Sequence, residues 1–184
     1  MLDVSGQLKL QLWSEKYSKW YSLKSSRCGN YALCGAFSIC NENSHDLPCG
    51  CLPGFKPASN DAWSKGNVSS GCVRETALNC TNNTNVQKDE FLHMSEVDWP
   101  HNPLYLEDIG NDKECQSACL NNCSCVAYAY DQKYDRKLDG NKLIRCLVWD
   151  GSLLNLKQLS AVDLYGNDFY LKLASPSIKN SKKN

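Results

Sequence analysis

Twelve cysteines crowd into the stretch from Cys28 to Cys146, and none occurs in the 27 residues before it or the 38 after it. At about one residue in ten, covalent cross-links rather than a large apolar interior set the fold. An even number in a confined region reads as six bridges closed in an oxidising compartment. The rival use of such sulfurs is zinc, which asks for paired C-x₂₋₄-C knuckles, or one knuckle with His-x₃₋₅-His. C-x-x-C is absent here, and His45, His93 and His101 are scattered. No metal and no cofactor is therefore expected.

The 20 Lys and Arg residues balance 20 Asp and Glu, which removes the electrostatic footprint of a nucleic-acid binder. A length of 184 residues with 42% hydrophobic side chains suits one or two small folded domains. No apolar run approaches the roughly 18 residues that cross a bilayer, so membrane attachment is expected only through a span outside this chain. The opening Met1-Leu-Asp-Val-Ser-Gly6 shows neither a basic nor an apolar leader region, and an excised or truncated piece is expected. Four N-x-[ST] sequons begin at Asn67, Asn79, Asn82 and Asn122, as suits a secreted chain. Asn79 and Asn122 each precede a cysteine, where crowding hinders glycosylation; Asn67 and Asn82 are the expected sites.

Leu8, Leu10 and Leu12 alternate with Gln7, Lys9 and Gln11 behind Ser5-Gly6, the pattern of a half-buried strand after a turn. Trp13, Tyr17, Trp20 and Tyr21 read as a second strand. Such a hairpin does not stand alone and is expected at the end of a larger sheet. From Cys28 to Cys72 the chain is too short to bury an adequate core; bridges of roughly 2–4 kcal/mol each make up the deficit. Gly54 fits a turn position that a Cβ would obstruct.

Beyond Cys80, Asn111 stands three before Glu114, a capped helix start, and Asn121-Asn122 is a stop. Cys115 and Cys119 lie four apart, so both sulfurs leave one helix face and can tie it to a sheet. Val126–Tyr130, Ile144–Trp149 and Asp168–Leu173 read as strands, and Asp131–Asn141 as a solvated loop. The expected result is one helix on a small antiparallel sheet. Trp149, Tyr128 and Tyr130 are expected in the core. Trp63 and Trp99, in polar or Pro-flanked loops, are the expected exposed rings and candidate binding aromatics.

Cys49-Gly-Cys51-Leu-Pro-Gly54-Phe55, followed by Gly71-Cys72, resembles the closing half of an EGF-like module. Cys28-Gly-Asn-Tyr31-Ala-Leu-Cys34-Gly-Ala-Phe37-Ser-Ile-Cys40, Cys51-Leu-Pro-Gly-Phe-Lys-Pro57, Trp63 and Ser70-Gly-Cys-Val-Arg74 are similar to that module in plant S-locus glycoproteins and S-domain (G-type lectin) receptor-like kinases. Cys115-x₃-Cys119-Leu-x-Asn-Cys123-Ser-Cys125-Val-Ala-Tyr-Ala-Tyr130, with Cys146-x₂-Trp149, looks like their PAN/apple domain. The resemblance implies small disulfide-rich modules: a β-rich EGF-like module followed by an α+β PAN/apple domain. Residues 1–26 would be terminal strands of the S-locus glycoprotein domain, 27–73 the EGF-like module, 80–174 the PAN/apple domain and 175–184 a disordered, juxtamembrane-like tail. It implies the bridges Cys28–Cys40, Cys34–Cys49, Cys51–Cys72, Cys115–Cys146, Cys119–Cys125 and Cys80–Cys123. Calcium-binding EGF modules carry acidic ligands before the first cysteine; here Lys24-Ser-Ser-Arg27 stands there, so the module reads as a rigid spacer.

The resemblance further implies a non-catalytic ectodomain region at the extracellular face of the plasma membrane, or secreted. Relatives of this kind perceive pollen in self-incompatibility or act in defence, and their full chains carry a Ser/Thr kinase. The partner would be a protein ligand, small and cysteine-rich in kind, or a sister receptor, with a homodimer expected through the PAN sheet; a glycan is the alternative ligand. No glycine-rich phosphate loop, His-Arg-Asp or Asp-Phe-Gly occurs, so this piece holds no phosphoryl-transfer site. Six bridges would leave no thiolate for nucleophilic catalysis.

Overall fold

The computed structural model describes residues 11–22, 27–44, 46–79, 89–131, 137–138, 142–143, 145–159 and 166–175. Strands β1 (Gln11–Ser14) and β2 (Lys19–Ser22) form an antiparallel hairpin with Trp13 opposite Trp20. The chain reverses within the segment read as one aromatic strand, through a 3₁₀ turn at Glu15–Tyr17 that ends on Ser18 at φ 46°. Trp13 therefore belongs to the first strand, and Tyr17 to the turn. The alternating Leu8 and Leu10 lie outside the described residues.

The next segment folds around sulfur. β3 (Ser38–Asn41) pairs antiparallel with β4 (Cys49–Cys51), and β5 (Phe55–Pro57) with β6 (Cys72–Arg74). Between β5 and β6, the short helix α1 (Asn60–Ser64) starts on Ser59, whose Oγ accepts from Ala62 N–H at 3.3 Å. Bridges Cys28–Cys40 and Cys34–Cys49 share a small cluster with Val68, and Cys51–Cys72 joins the two hairpins. Gly35 and Gly71 meet backbone to backbone at φ 71° and 67°, and a Cβ on Gly35 would sit 2.5 Å from Gly71 N. Only glycine fits such a contact.

The remaining elements are β7 (Glu90–Asp98), β8 (Leu104–Leu106), helix α2 (Asp112–Asn121), β9 (Cys125–Tyr130), β10 (Lys137–Leu138), β11 (Lys142–Leu143), β12 (Cys146–Asp150), β13 (Leu156–Gln158) and β14 (Asn167–Leu173). β10 and β11 pair within and just beyond the segment read as a loop. The principal sheet has the order β4-β3-β13-β7-β14-β9-β12-β8. Strands β9 and β12 are apolar on both faces, because both are covered, whereas β7 is mostly exposed or half-buried along its length. Leu147, Trp149, Phe169 and Leu171 enter one core, whereas Cys146, Val148, Tyr128 and Tyr170 meet helix α2 on the other side.

Only Cys115 and Cys119 of α2 are buried; sulfur, not an apolar stripe, holds it down. Cys115 bridges to Cys146 on β12, and Cys119 to Cys125 on β9. The expected caps are in place: Asn111 Oδ1 accepts from Glu114 N–H at 3.0 Å, and Glu114 Oε2 accepts from Gly110 N–H at 2.8 Å. At the other end the buried Lys172 Nζ reaches the carbonyls of Cys119, Leu120 and Asn122 at 3.2–3.3 Å. A cation on orphan carbonyls suits the negative pole of a helix.

β13 joins the halves. It runs parallel to β3, pairing Leu156 with Ile39, and antiparallel to β7. Leu52, Phe55 and Cys72 enter the same core as Trp149 and Phe169. Phe37 N–H donates to Leu153 O at 2.9 Å, Ala32 N–H to Asn155 Oδ1 at 2.5 Å, and Arg74 Nη1 to Lys172 O at 2.8 Å. The segment read as a spacer is thus an extension of the sheet, and that sheet contains one parallel pair. Cys80 and the tail 176–184 lie outside the described residues.

Candidate recognition cleft

A cleft of about 270 Å³ opens where β7, β14 and the end of β9 meet the start of α2. The strands are irregular there. The β7–β14 register slips between Asn167 and Phe169, and Glu96 stands at φ 54°. Gly166 lies so close that a Cβ would come within 2.8 Å of Glu96 Cα. Such a bulge re-aims side chains, and here it gathers residues far apart in sequence. Trp99, Tyr130 and Tyr170 supply aromatic walls; Glu96, Asp112, Asp131 and Asp168 supply carboxylates.

Asp168 organises one wall. Its Oδ1 lies 2.8 Å from His93 Nε2, and its backbone carbonyl accepts from Trp99 Nε1 at 2.9 Å. His93 stacks on Tyr170 with centroids 5.0 Å apart, and Tyr170 stacks on Tyr128 at 4.6 Å. Burial, joined by the charge of Asp168, holds the Asp112 carboxyl above the usual carboxylate range, against a lowering hydrogen bond with Tyr128. Burial first, then Asp112 and Asp168, push the Tyr170 phenol up. Tyr128 moves the same way from burial, with Asp112 and Tyr170 adding to it. Tyr130 is anchored by donating to Gly110 O at 2.8 Å. Carboxylates in such a partly dry cleft, beside ring faces, suit a cationic group.

Neither tryptophan expected to be an exposed ring is one. Trp63 is half-buried between two clusters and donates Nε1–H to Gly71 O at 3.2 Å. Trp99 is half-buried 6.4 Å from Trp149. Each indole N–H finds a backbone carbonyl, which removes the cost of covering the ring. Structure brings Trp99 to the cleft and leaves Trp63 in the scaffold. Among the described residues, the large exposed aromatics are Trp13, Tyr17, Trp20, Tyr31 and Tyr105. Asn67 is exposed, whereas Asn82 lies outside the described residues. His93, Asp112, Asp168 and Tyr170 escaped the sequence reading, since no spacing connects them.

Two family profiles match the chain: the S-locus glycoprotein domain over residues 1–59 and the PAN-like domain over 72–156. The chain is 39% identical, over 97% of its length, to the G-type lectin S-receptor-like serine/threonine-protein kinase At4g11900 of Arabidopsis thaliana, covering 20% of that protein. To the Arabidopsis thaliana kinase of the same description At1g61390 it is 37% identical over 99% of its length, covering 21% of it. With the one called SD1-13, from the same plant, it shares 33% identity over 97% of its length and spans 21% of that relative. The chain thus spans about a fifth of the length of these curated relatives.

Proposed function

We propose that this chain, which carries S-locus glycoprotein and PAN-like regions and is similar over nearly its whole length to G-type lectin S-receptor-like serine/threonine kinases, is part of a member of that family and a recognition region for a protein ligand at the outer face of the plant cell. The ligand is of the kind perceived in pollen recognition or defence, and its basic side chain enters the Trp99 cleft. The cleft carries this reading: four carboxylates and three aromatic walls converge there on a disulfide-braced sheet. Kinase activity, in this reading, belongs to a longer protein of which this region is the outward-facing part.

The test uses the oxidised chain with lysine- and arginine-containing peptides, and with matched peptides carrying glutamine instead. Calorimetry is expected to show binding of the basic set alone. Trp99→Ala or Asp168→Asn should weaken it about tenfold, the scale of one cation–aromatic or ion-pair contact. Equal binding of the glutamine set, or binding only of neutral oligosaccharides, would overturn the cationic-ligand reading.

A further inference from the structure

We propose that Asn122 carries an N-linked oligosaccharide, planted at the C-terminal end of helix α2. The adjacent cysteines predict crowding at this sequon, but Asn122, Cys123 and Ser124 are all exposed. Asn122 leaves the helix in extended backbone, φ −99° and ψ 115°. Its Oδ1 accepts from Ser124 N–H at 3.1 Å and from Ser124 Oγ–H at 2.8 Å. The sequon at Asn67 shows the same pattern: Oδ1 accepts from Ser69 N–H at 3.3 Å and from Ser69 Oγ–H at 2.7 Å. In both, the residue two positions on holds the amide oxygen. The amide nitrogen that takes the sugar is the group left turned away, on an exposed side chain.

The backbone beneath Asn122 is fixed. Its N–H donates to Cys119 O at 3.2 Å, and its carbonyl receives Lys172 Nζ at 3.2 Å. A glycan there stands on a rigid post, beside the Cys119–Cys125 bridge, and covers the end of the helix opposite to the one that meets the cleft. In the transfer, a bond forms between Asn122 Nδ2 and the anomeric carbon of a lipid-diphosphate-linked oligosaccharide. The anomeric carbon–oxygen bond breaks, the lipid diphosphate leaves, and Nδ2 gives up one proton. The inference rests on the outer-face reading above, because only a chain entering the secretory pathway meets that donor.

The full chain, placed behind a secretory signal in a mammalian host, tests it by glycopeptide mass spectrometry on intracellular and secreted material alike. Peptide N-glycosidase in heavy-oxygen water is expected to convert Asn122 to labelled Asp. Ser124→Ala should abolish the label at Asn122 and keep that at Asn67; Ser124→Thr, which retains the hydroxyl, should keep both. A bare Asn122 beside an occupied Asn67 overturns the inference and leaves the outer-face reading standing. Both sites bare on secreted chain overturns it as well. A wild-type chain glycosylated at both positions but held misfolded inside the cell supports the glycan while counting against the outer-face reading.

Discussion

Single residues decide where charge can sit in this fold. Lys172 enters a sheet core because its ammonium reaches three helix carbonyls; the strand pattern around it shows only a polar residue at an inward position. Asp112 is the counterpart in the cleft, a carboxyl that burial and Asp168 hold up. Its raised folded value means that the neutral form is favoured more in the native state than in the unfolded chain. The stability so gained is present at low pH and is lost as pH rises from the ordinary carboxylate value of 3.8 through the folded one. Asp168→Asn removes the charge contribution, so the Asp112 carboxyl carbon should titrate at lower pH by NMR. An unchanged titration would show that the two carboxylates do not sense each other. None of this was legible in the sequence, where Asp112 and Asp168 are only two of many acidic residues.

At the scale of elements, helix α2 was the most legible piece. Asn111 and Glu114 mark its start, Asn122 its end, and the four-residue spacing of Cys115 and Cys119 its buried face. The strands around Tyr128, Trp149 and Phe169 were legible as apolar runs. The β1–β2 reversal was misplaced because four polar or aromatic residues, Glu15–Ser18, carry no Gly or Pro to mark a turn. The two bridges of α2 close loops of different length, with separations of 31 for Cys115–Cys146 and 6 for Cys119–Cys125. Chain-entropy reasoning makes the longer loop worth about 3.7 kcal/mol and the shorter about 2.2 kcal/mol. Denaturant unfolding of the paired Cys→Ala variants should therefore show the larger loss for Cys115 with Cys146. The reverse order would mean that the bridges act through native packing instead.

The molecule as a whole differs most from what its segments announce. Cysteine spacing and motif divided the chain into modules, and local pattern supplied the strands of each. The seam between them rests on a pairing of Ile39 with Leu156, over a hundred residues apart, which no local periodicity encodes. A fragment of residues 76–184 loses Leu52, Phe55 and Cys72 from the shared core and uncovers one edge of β13. It should bind a hydrophobic dye and sediment as aggregates, whereas a monodisperse fragment with the midpoint of the whole chain would show two independent units. The parallel seam also sets an order of assembly. As the polypeptide emerges from the ribosome, its early cysteines can oxidise at once, yet the strand that closes over Ile39 is made more than a hundred residues later. In the interval Leu52 and Phe55 have no lid, and oxidation can finish before folding does. A cell making this chain must therefore shield an already cross-linked but still uncovered half, a task for chaperones that tolerate finished disulfides.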